Sequence, residues 1–374
     1  MKKINIAEPH FTTKDKNKIK RELTNILDGS LSMGPNVKLF EKQFSKKINT
    51  KYAIAMNSCT SALEAALQFF NVKEKEVLVP SQSFIATAMA VTLSGGTPVF
   101  CEIKKESLNI DINDIKKKIS KKTKGLIIVH MAGTISPDIM QIADFCKKNK
   151  LFLIEDAAHT PGAIINGKQA GSIGDVGCFS FYPTKIITSG EGGMLTTSNK
   201  KIANYARSYQ NRGRDIFSKN EVYVNPGRNV RMTEISALLG RIQLSKLDKY
   251  LKRRRDVAKI YINSFKNLKD VFLVTPKKLN QSSFWKFPII LGIKYDRDKI
   301  IKKLMKKGIQ ADAAYKPPLH LQPVIKKIYN IKKGHLPFSE NILKRHLCLP
   351  CHQNMTTEDA NYVVNNFLEI LKKK

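Results

Sequence analysis

Long apolar runs are missing from this sequence. None approaches the ~18 consecutive apolar residues that a membrane helix needs, and the opening residues Met1 to Pro9 lack the apolar stretch of a secretory signal. A helical membrane span is thereby excluded, and the expected location is the cytoplasm. Cysteine is sparse: six in 374 residues (Cys59, Cys101, Cys146, Cys178, Cys348, Cys351). With no export signal they are expected to be reduced thiols, not a disulfide framework. The one suggestive spacing, Cys348-Leu349-Pro350-Cys351, lacks the second Cys or His pair of a closed zinc site, so no metal is expected. Acidic residues are also few, 31 Asp+Glu against 65 Lys+Arg, for a formal net charge of +34. Such an excess invites a nucleic-acid reading, yet arginine is scarce as well. Only 12 of the 65 basic residues are Arg, and none lies between Arg21 and Arg207. Arginine is the preferred reader of guanine edges and phosphate forks, and the lysines spread over helix faces without a zinc-finger or RNA-binding aromatic motif. Nucleic acid is therefore not an expected partner.

What is present is globular. Hydrophobic residues make up 42% and charged residues 26%, and the length suits about two domains. From about residue 50 to 200, short β-branched runs alternate with amphipathic stretches. Glu76 to Pro80, Pro98 to Ile103, Gly125 to His130 and Leu151 to Glu155 are continuously apolar rather than alternating, the pattern of strands buried on both faces. Helical patterns at Ala62 to Phe70, Phe84 to Leu93 and Ile139 to Lys148 lie between them. The order predicts an α/β fold, a mostly parallel sheet with helices on both faces and ligands at the carboxyl ends of its strands. Glu234 to Phe265 then reads as one long helix or a bent pair. A strand at Phe287 to Leu291, a helix from Asp298 to Lys307 stopped by Gly308, and a terminal helix from Thr357 to Leu371 predict a smaller α+β unit.

Three segments carry the polar groups that chemistry needs. Asn57-Ser58-Cys59-Thr60-Ser61 opens a helix, whose free N–H groups and dipole favour a phosphate, although Ser and Thr cap helices of every kind. Glu155-Asp156-Ala157-Ala158-His159 sets two carboxylates and an imidazole after an apolar strand. Asp156 is a candidate for holding a protonated ring nitrogen, with an ordinary loop acid as the plain alternative. Ser180-Phe181-Tyr182-Pro183-Thr184-Lys185 follows another apolar strand and precedes Gly190-Glu191-Gly192-Gly193. A lysine sheltered there has a lowered pKa, as an imine-forming nucleophile requires, which points to an aldehyde cofactor.

With these residues in view, the chain resembles the pyridoxal-phosphate-dependent sugar aminotransferases of the DegT/StrS group. Ordered matches run from Gly34-Pro35-Asn36-Val37 through Phe84-Ile85-Ala86-Thr87-Ala88, Glu155 to His159, Ser180 to Lys185 and Gly227-Arg228-Asn229-Val230-Arg231-Met232 to Leu349-Pro350-Cys351-His352. The resemblance implies a seven-stranded fold type I architecture, with a large cofactor-binding domain over 1–249, including the N-terminal segment, and a small α+β domain over 250–374. It implies Lys185 as the residue covalently joined to the cofactor, Asp156 on the pyridine nitrogen, and His159 toward the phenolic oxygen. Ser58, Cys59, Thr60 and Ser180 would hold the phosphate, and Phe84 would stack on the ring. Asn229 would reach the phosphate of the other subunit, making a homodimer with shared sites, and Arg231 and His320 would face substrate. Cys59 departs from the Gly or Ala more frequent in the group. The implied activity is transfer of an amino group from L-glutamate to the keto group of a nucleotide-linked deoxysugar, for an amino sugar of a surface polysaccharide or glycosylated metabolite. The alternatives are the same chemistry on an octulosonate aldehyde or an inosose, and, from another class, a basic nucleic-acid-binding protein on an inactive scaffold.

Overall fold

The computed structural model describes residues 2–372. Its centre is a seven-stranded sheet in the order β1-β9-β8-β5-β4-β2-β3. These strands are β1 (Tyr52–Met56), β2 (Glu76–Pro80), β3 (Thr97–Cys101), β4 (Thr123–Val129), β5 (Phe152–Asp156), β8 (Val176–Ser180) and β9 (Gly193–Thr197). A two-stranded hairpin, β6 (Ile164–Ile165) and β7 (Lys168–Gln169), leaves the sheet between β5 and β8. Neighbours from β8 through β5, β4 and β2 to β3 pair in parallel, whereas β9 runs antiparallel to both β8 and β1. The apolar run that leads into β5 has its cause here: every residue of the strand is buried, since helices cover the sheet on both sides.

The expected helices occur at Cys59–Phe69, Ile85–Leu93 and Ile139–Lys148. The stretch after Thr233 is the bent pair, Glu234–Leu244 and Leu247–Phe265, broken at Ser245 and Lys246. A second sheet, β10 (Val271–Leu273), β11 (Phe287–Leu291) and β12 (His346–Leu349), is antiparallel throughout. It packs with the helices Arg297–Lys306 and Thr357–Lys372.

Position 249 falls inside the helix Leu247–Phe265, so one rigid element joins the two sheets. Ile4 pairs with Ile309 and packs among Val257, Tyr261 and Phe367, which sets the N-terminal segment against the second sheet's core. Arg254 is 1% exposed and spends its guanidinium on backbone oxygens of Phe284 (3.0 Å), Trp285 (3.3 Å) and Cys351 (2.5 Å). Burying so large a cation is tolerable because both terminal nitrogens are met, Nη1 by these oxygens and Nη2 by Gln353 Oε1 at 2.7 Å. The result is a fixed placement of the Phe284–Lys286 segment, which enters the site described next. Among the described residues, no helix is long and apolar enough to cross a membrane.

Candidate active site

β4, β5 and β8 end side by side at Val129, Asp156 and Ser180, and a cavity of about 470 Å³ opens over these ends. The parallel order dictates the place, because loops leaving the carboxyl ends diverge and leave a crevice.

The two carboxylates that close β5 point to different tasks. Glu155 is wholly buried and accepts N–H bonds from Gly171 (2.8 Å), Ile173 (2.6 Å) and Gly174 (2.7 Å). Its fourth partner is His130 Nε2 at 2.9 Å. Since Ser136 N–H donates to His130 Nδ1, the ring proton sits on Nε2 and is given to Glu155. Glu155 therefore anchors the loop behind β5. Asp156 lines the cavity. Its Oδ2 accepts from the Thr87 hydroxyl (3.0 Å), and its Oδ1 from Ala158 N–H (3.2 Å). Thr87 thereby uses its only hydroxyl proton, so Ser83, at 2.6 Å, donates to Thr87. Burial pushes the Asp156 pKa up, while Lys185 and these donors draw it down.

Lys185 stands against the indole of Trp285, its Nζ 4.5 Å from the ring centroid. Desolvation brings its pKa down to about 8 despite the opposing pull of Asp156, and Lys286 adds to the lowering. Trp285 is the chain's single tryptophan. Its Nε1–H donates to the Thr184 carbonyl at 2.7 Å, immediately before Lys185, and its ring stacks on His159 at 3.9 Å and 7°. His159 Nε2 meets the Tyr315 hydroxyl at 2.8 Å, and its buried Nδ1 has no partner within the protein. Burial, with Lys185 and Lys286 nearby, lowers the His159 pKa well below its usual value, so the ring is neutral.

At the other wall the helix Cys59–Phe69 presents its N-terminus. Ser58 caps it by accepting from Ser61 N–H, and helix geometry leaves the N–H groups of Cys59 and Thr60 without an intrahelical acceptor. Gly193 of β9 lies directly against this turn: a Cβ there would come within 2.2 Å of the Ser58 carbonyl carbon. Ser58, Cys59, Thr60 and Ser180 all line the cavity, as does Phe84, which is 54% exposed.

Ser58, Cys59, Thr60, Phe84, Asp156, His159, Ser180 and Lys185 are thus brought together by the fold. Three other residues singled out in the sequence are not at this cavity. Asn229 is exposed on a loop tied to the end of β1 through the Asn57 N–H bond to Val230. Arg231 gives its guanidinium to Asn211 Oδ1 at 2.6 Å. His320 is buried, with Nε2 3.2 Å from Glu340. Sequence reasoning missed Thr87, Trp285, Lys286 and Tyr315. A lone tryptophan beside a lysine at the entry to a strand was the available signal for two of them.

The model of the DegT/DnrJ/EryC1/StrS aminotransferase family matches residues 13–368. The chain belongs to this family. The aminotransferase is 31% identical to the GDP-perosamine synthase of Escherichia coli O157:H7, with each chain covered in full. Its fold is similar to that of Helicobacter pylori PseC, an aminotransferase involved in the biosynthesis of pseudoaminic acid (TM-score 0.90, 29% identity, both chains fully covered). It is also similar to Spr1654 from Streptococcus pneumoniae, solved in PLP and PMP forms (TM-score 0.90, 26% identity, all of this chain and 99–100% of those). The architecture is that of the fold type I aminotransferases, and the cofactor is pyridoxal phosphate. The cavity fits it: free helical N–H groups for a phosphate, a buried carboxylate for a ring nitrogen, an orphaned imidazole nitrogen, and a low-pKa amine for an aldehyde.

Proposed function

We propose that this aminotransferase moves an amino group from L-glutamate to the keto group of a nucleotide-linked deoxysugar. The observation that carries the reading is the Lys185–Asp156 pair at the strand ends, an amine with a pKa of about 8 facing a buried carboxylate. The sugar substrate is supported by relatives named for such products over nearly the whole chain, among them GDP-perosamine synthases and a UDP-linked altrosamine transaminase. Bound pyridoxal phosphate supplies an aldehyde that accepts the amino group and a ring that withdraws electrons. Lys185 Nζ would hold the cofactor's aldehyde carbon and, as a free amine, would be the base that takes the proton from the donor's α-carbon. Asp156 holds the proton on the ring nitrogen. His159, neutral, keeps Nδ1 for the cofactor while Tyr315 and Trp285 fix its ring. Ser58, Cys59, Thr60 and Ser180 would hold the phosphate, Phe84 would pack on the ring, and Asn229 would serve the phosphate in a partner subunit.

The test is a panel of 3-keto and 4-keto deoxysugars carrying GDP, UDP or dTDP, offered to enzyme first converted with L-glutamate. Formation of an amino sugar and return of the visible absorbance of the aldehyde form are expected for one of them. Lys185→Ala is expected to abolish turnover in a folded protein. A Lys185→Ala variant that keeps a borohydride-reducible link to the cofactor would assign the wrong lysine, and turnover of none of the panel would overturn the sugar reading.

A further inference from the structure

We propose that Lys286 receives the α-carboxylate of the amino donor and of the keto acid it becomes. This assignment rests on the aminotransferase reading with an amino-acid donor. Lys185 and Lys286 are the two cationic side chains that line the cavity, and Asp156 and Glu191 the two acids. Lys185 is occupied as the nucleophile, which leaves Lys286 as the cavity's cation for an anionic substrate group. The two Nζ atoms lie 4.5 and 4.4 Å from the centroid of the same Trp285 ring, so they are within about 9 Å of each other.

The two candidate anions differ in their distance from the reacting carbon. In an α-amino acid the carboxyl carbon is bonded directly to the carbon that loses its proton. In a nucleotide sugar the diphosphate leaves from C1, with ring atoms between it and the keto carbon. A cation on the same indole as Lys185 is within reach of the first, and the two half-reactions below separate it from the second.

Lys286 is also prepared for the task. It is 6% exposed and ion-paired with Asp312. Backbone bonds in both directions between Asp312 and Cys348 fix the aspartate to β12. The pair lets a buried ammonium wait without substrate, since a lone one would be costly. It also orders the side chain beforehand, so a carboxylate meets a cation whose rotamers are already restricted. Asp312 Oδ1 is left without a partner, so Asp312 does not use all of its hydrogen-bonding capacity on Lys286.

The experiment compares holoenzyme with its Lys286→Gln and Lys286→Arg variants in separate half-reactions. In the first, L-glutamate meets the pyridoxal form. The concentration giving half-maximal rate is expected to rise about tenfold or more in Lys286→Gln, with the limiting rate changed little and with Lys286→Arg restoring most of the affinity. In the second, the ketosugar meets the pyridoxamine form, and its KM is expected to stay within about twofold. Binding without turnover gives an independent readout: 2-oxoglutarate added to the pyridoxal form perturbs the fluorescence of the single tryptophan, and its Kd is expected to shift in parallel. A Lys286→Gln/Asp312→Asn double variant, which removes both buried charges, carries the comparison if the single variant does not fold. Unchanged glutamate and 2-oxoglutarate affinity overturns the proposal. A loss confined to the ketosugar half-reaction overturns it too and assigns Lys286 to the nucleotide sugar. Wild type inert toward every L-amino acid defeats the underlying reading, and is seen before any variant is made.

Discussion

An amine walled in by an indole, a carboxylate and a second ammonium gives up its proton near pH 8, where its ordinary value is 10.5. Desolvation leads that shift, because the charged form loses hydration it cannot recover. The sign fixes a measurable profile for the apoenzyme. Below about pH 8 Lys185 is protonated and cannot attack an aldehyde, so borohydride-trapped attachment of pyridoxal phosphate should rise about tenfold per pH unit and level off above 8. An inflection at the ordinary lysine value would remove the role of the Trp285 wall. At this scale the sequence was informative about which polar side chains after a strand come to line the cavity, as at Asp156, Ser180 and Lys185. It was uninformative about who supports them. Thr87 lies 69 residues before Asp156, and Trp285 lies 101 residues after the Thr184 carbonyl it donates to. No local pattern announces a hydrogen bond made across the fold.

The helix Cys59–Phe69 and strand β9 approach so closely that there is no room for a side chain at Gly193 beside the turn proposed to hold the phosphate. A methyl group there would fall 2.2 Å from the Ser58 carbonyl carbon and 2.4 Å from the Cys59 nitrogen, both backbone atoms that cannot swing away. Gly193→Ala is therefore expected to push the helix N-terminus off the sheet. It should weaken pyridoxal phosphate binding about tenfold or more and lower stability by about 1–3 kcal/mol, read by cofactor titration and denaturant unfolding. Gly190 is the control. Its φ of +80° makes alanine strained, but no atom lies within 4 Å of a Cβ there, so Gly190→Ala should cost about 1–2 kcal/mol of stability and leave cofactor affinity alone. The same contrast explains what was legible among elements. β2, β4 and β5 advertise themselves because burial on both faces demands unbroken apolar runs. β9 hides because it opens on Gly193, where close approach leaves no room for a side chain, and closes on two threonines. The bend at Ser245 and Lys246 left the choice between one helix and two open, as apolar spacing continues through it.

Apolar side chains are left uncovered around the cavity mouth and the loop before Asn229: Phe84 and Tyr182 at 54% and 47% exposure, Phe217 at 76%, Val224 at 55%. Exposed apolar side chains of that size are a mark of interaction surfaces. Asn229 follows that loop, stands exposed, and does not line its own chain's cavity. A second copy covering this face would hide the apolar groups and bring Asn229 to a cofactor that its own subunit does not offer it. In an isologous dimer each subunit then completes the other's site, and both sites form together or not at all. A mixing experiment separates this from a self-contained monomer. Lys185→Ala and Asn229→Asp chains, each poorly active alone, should recover up to about half of the wild-type specific activity per heterodimer when refolded together, because one of its two sites has both residues intact. Full activity in a diluted monomer, or verified heterodimers without recovery, would mean that Asn229 serves no neighbouring site and that the apolar face meets something else.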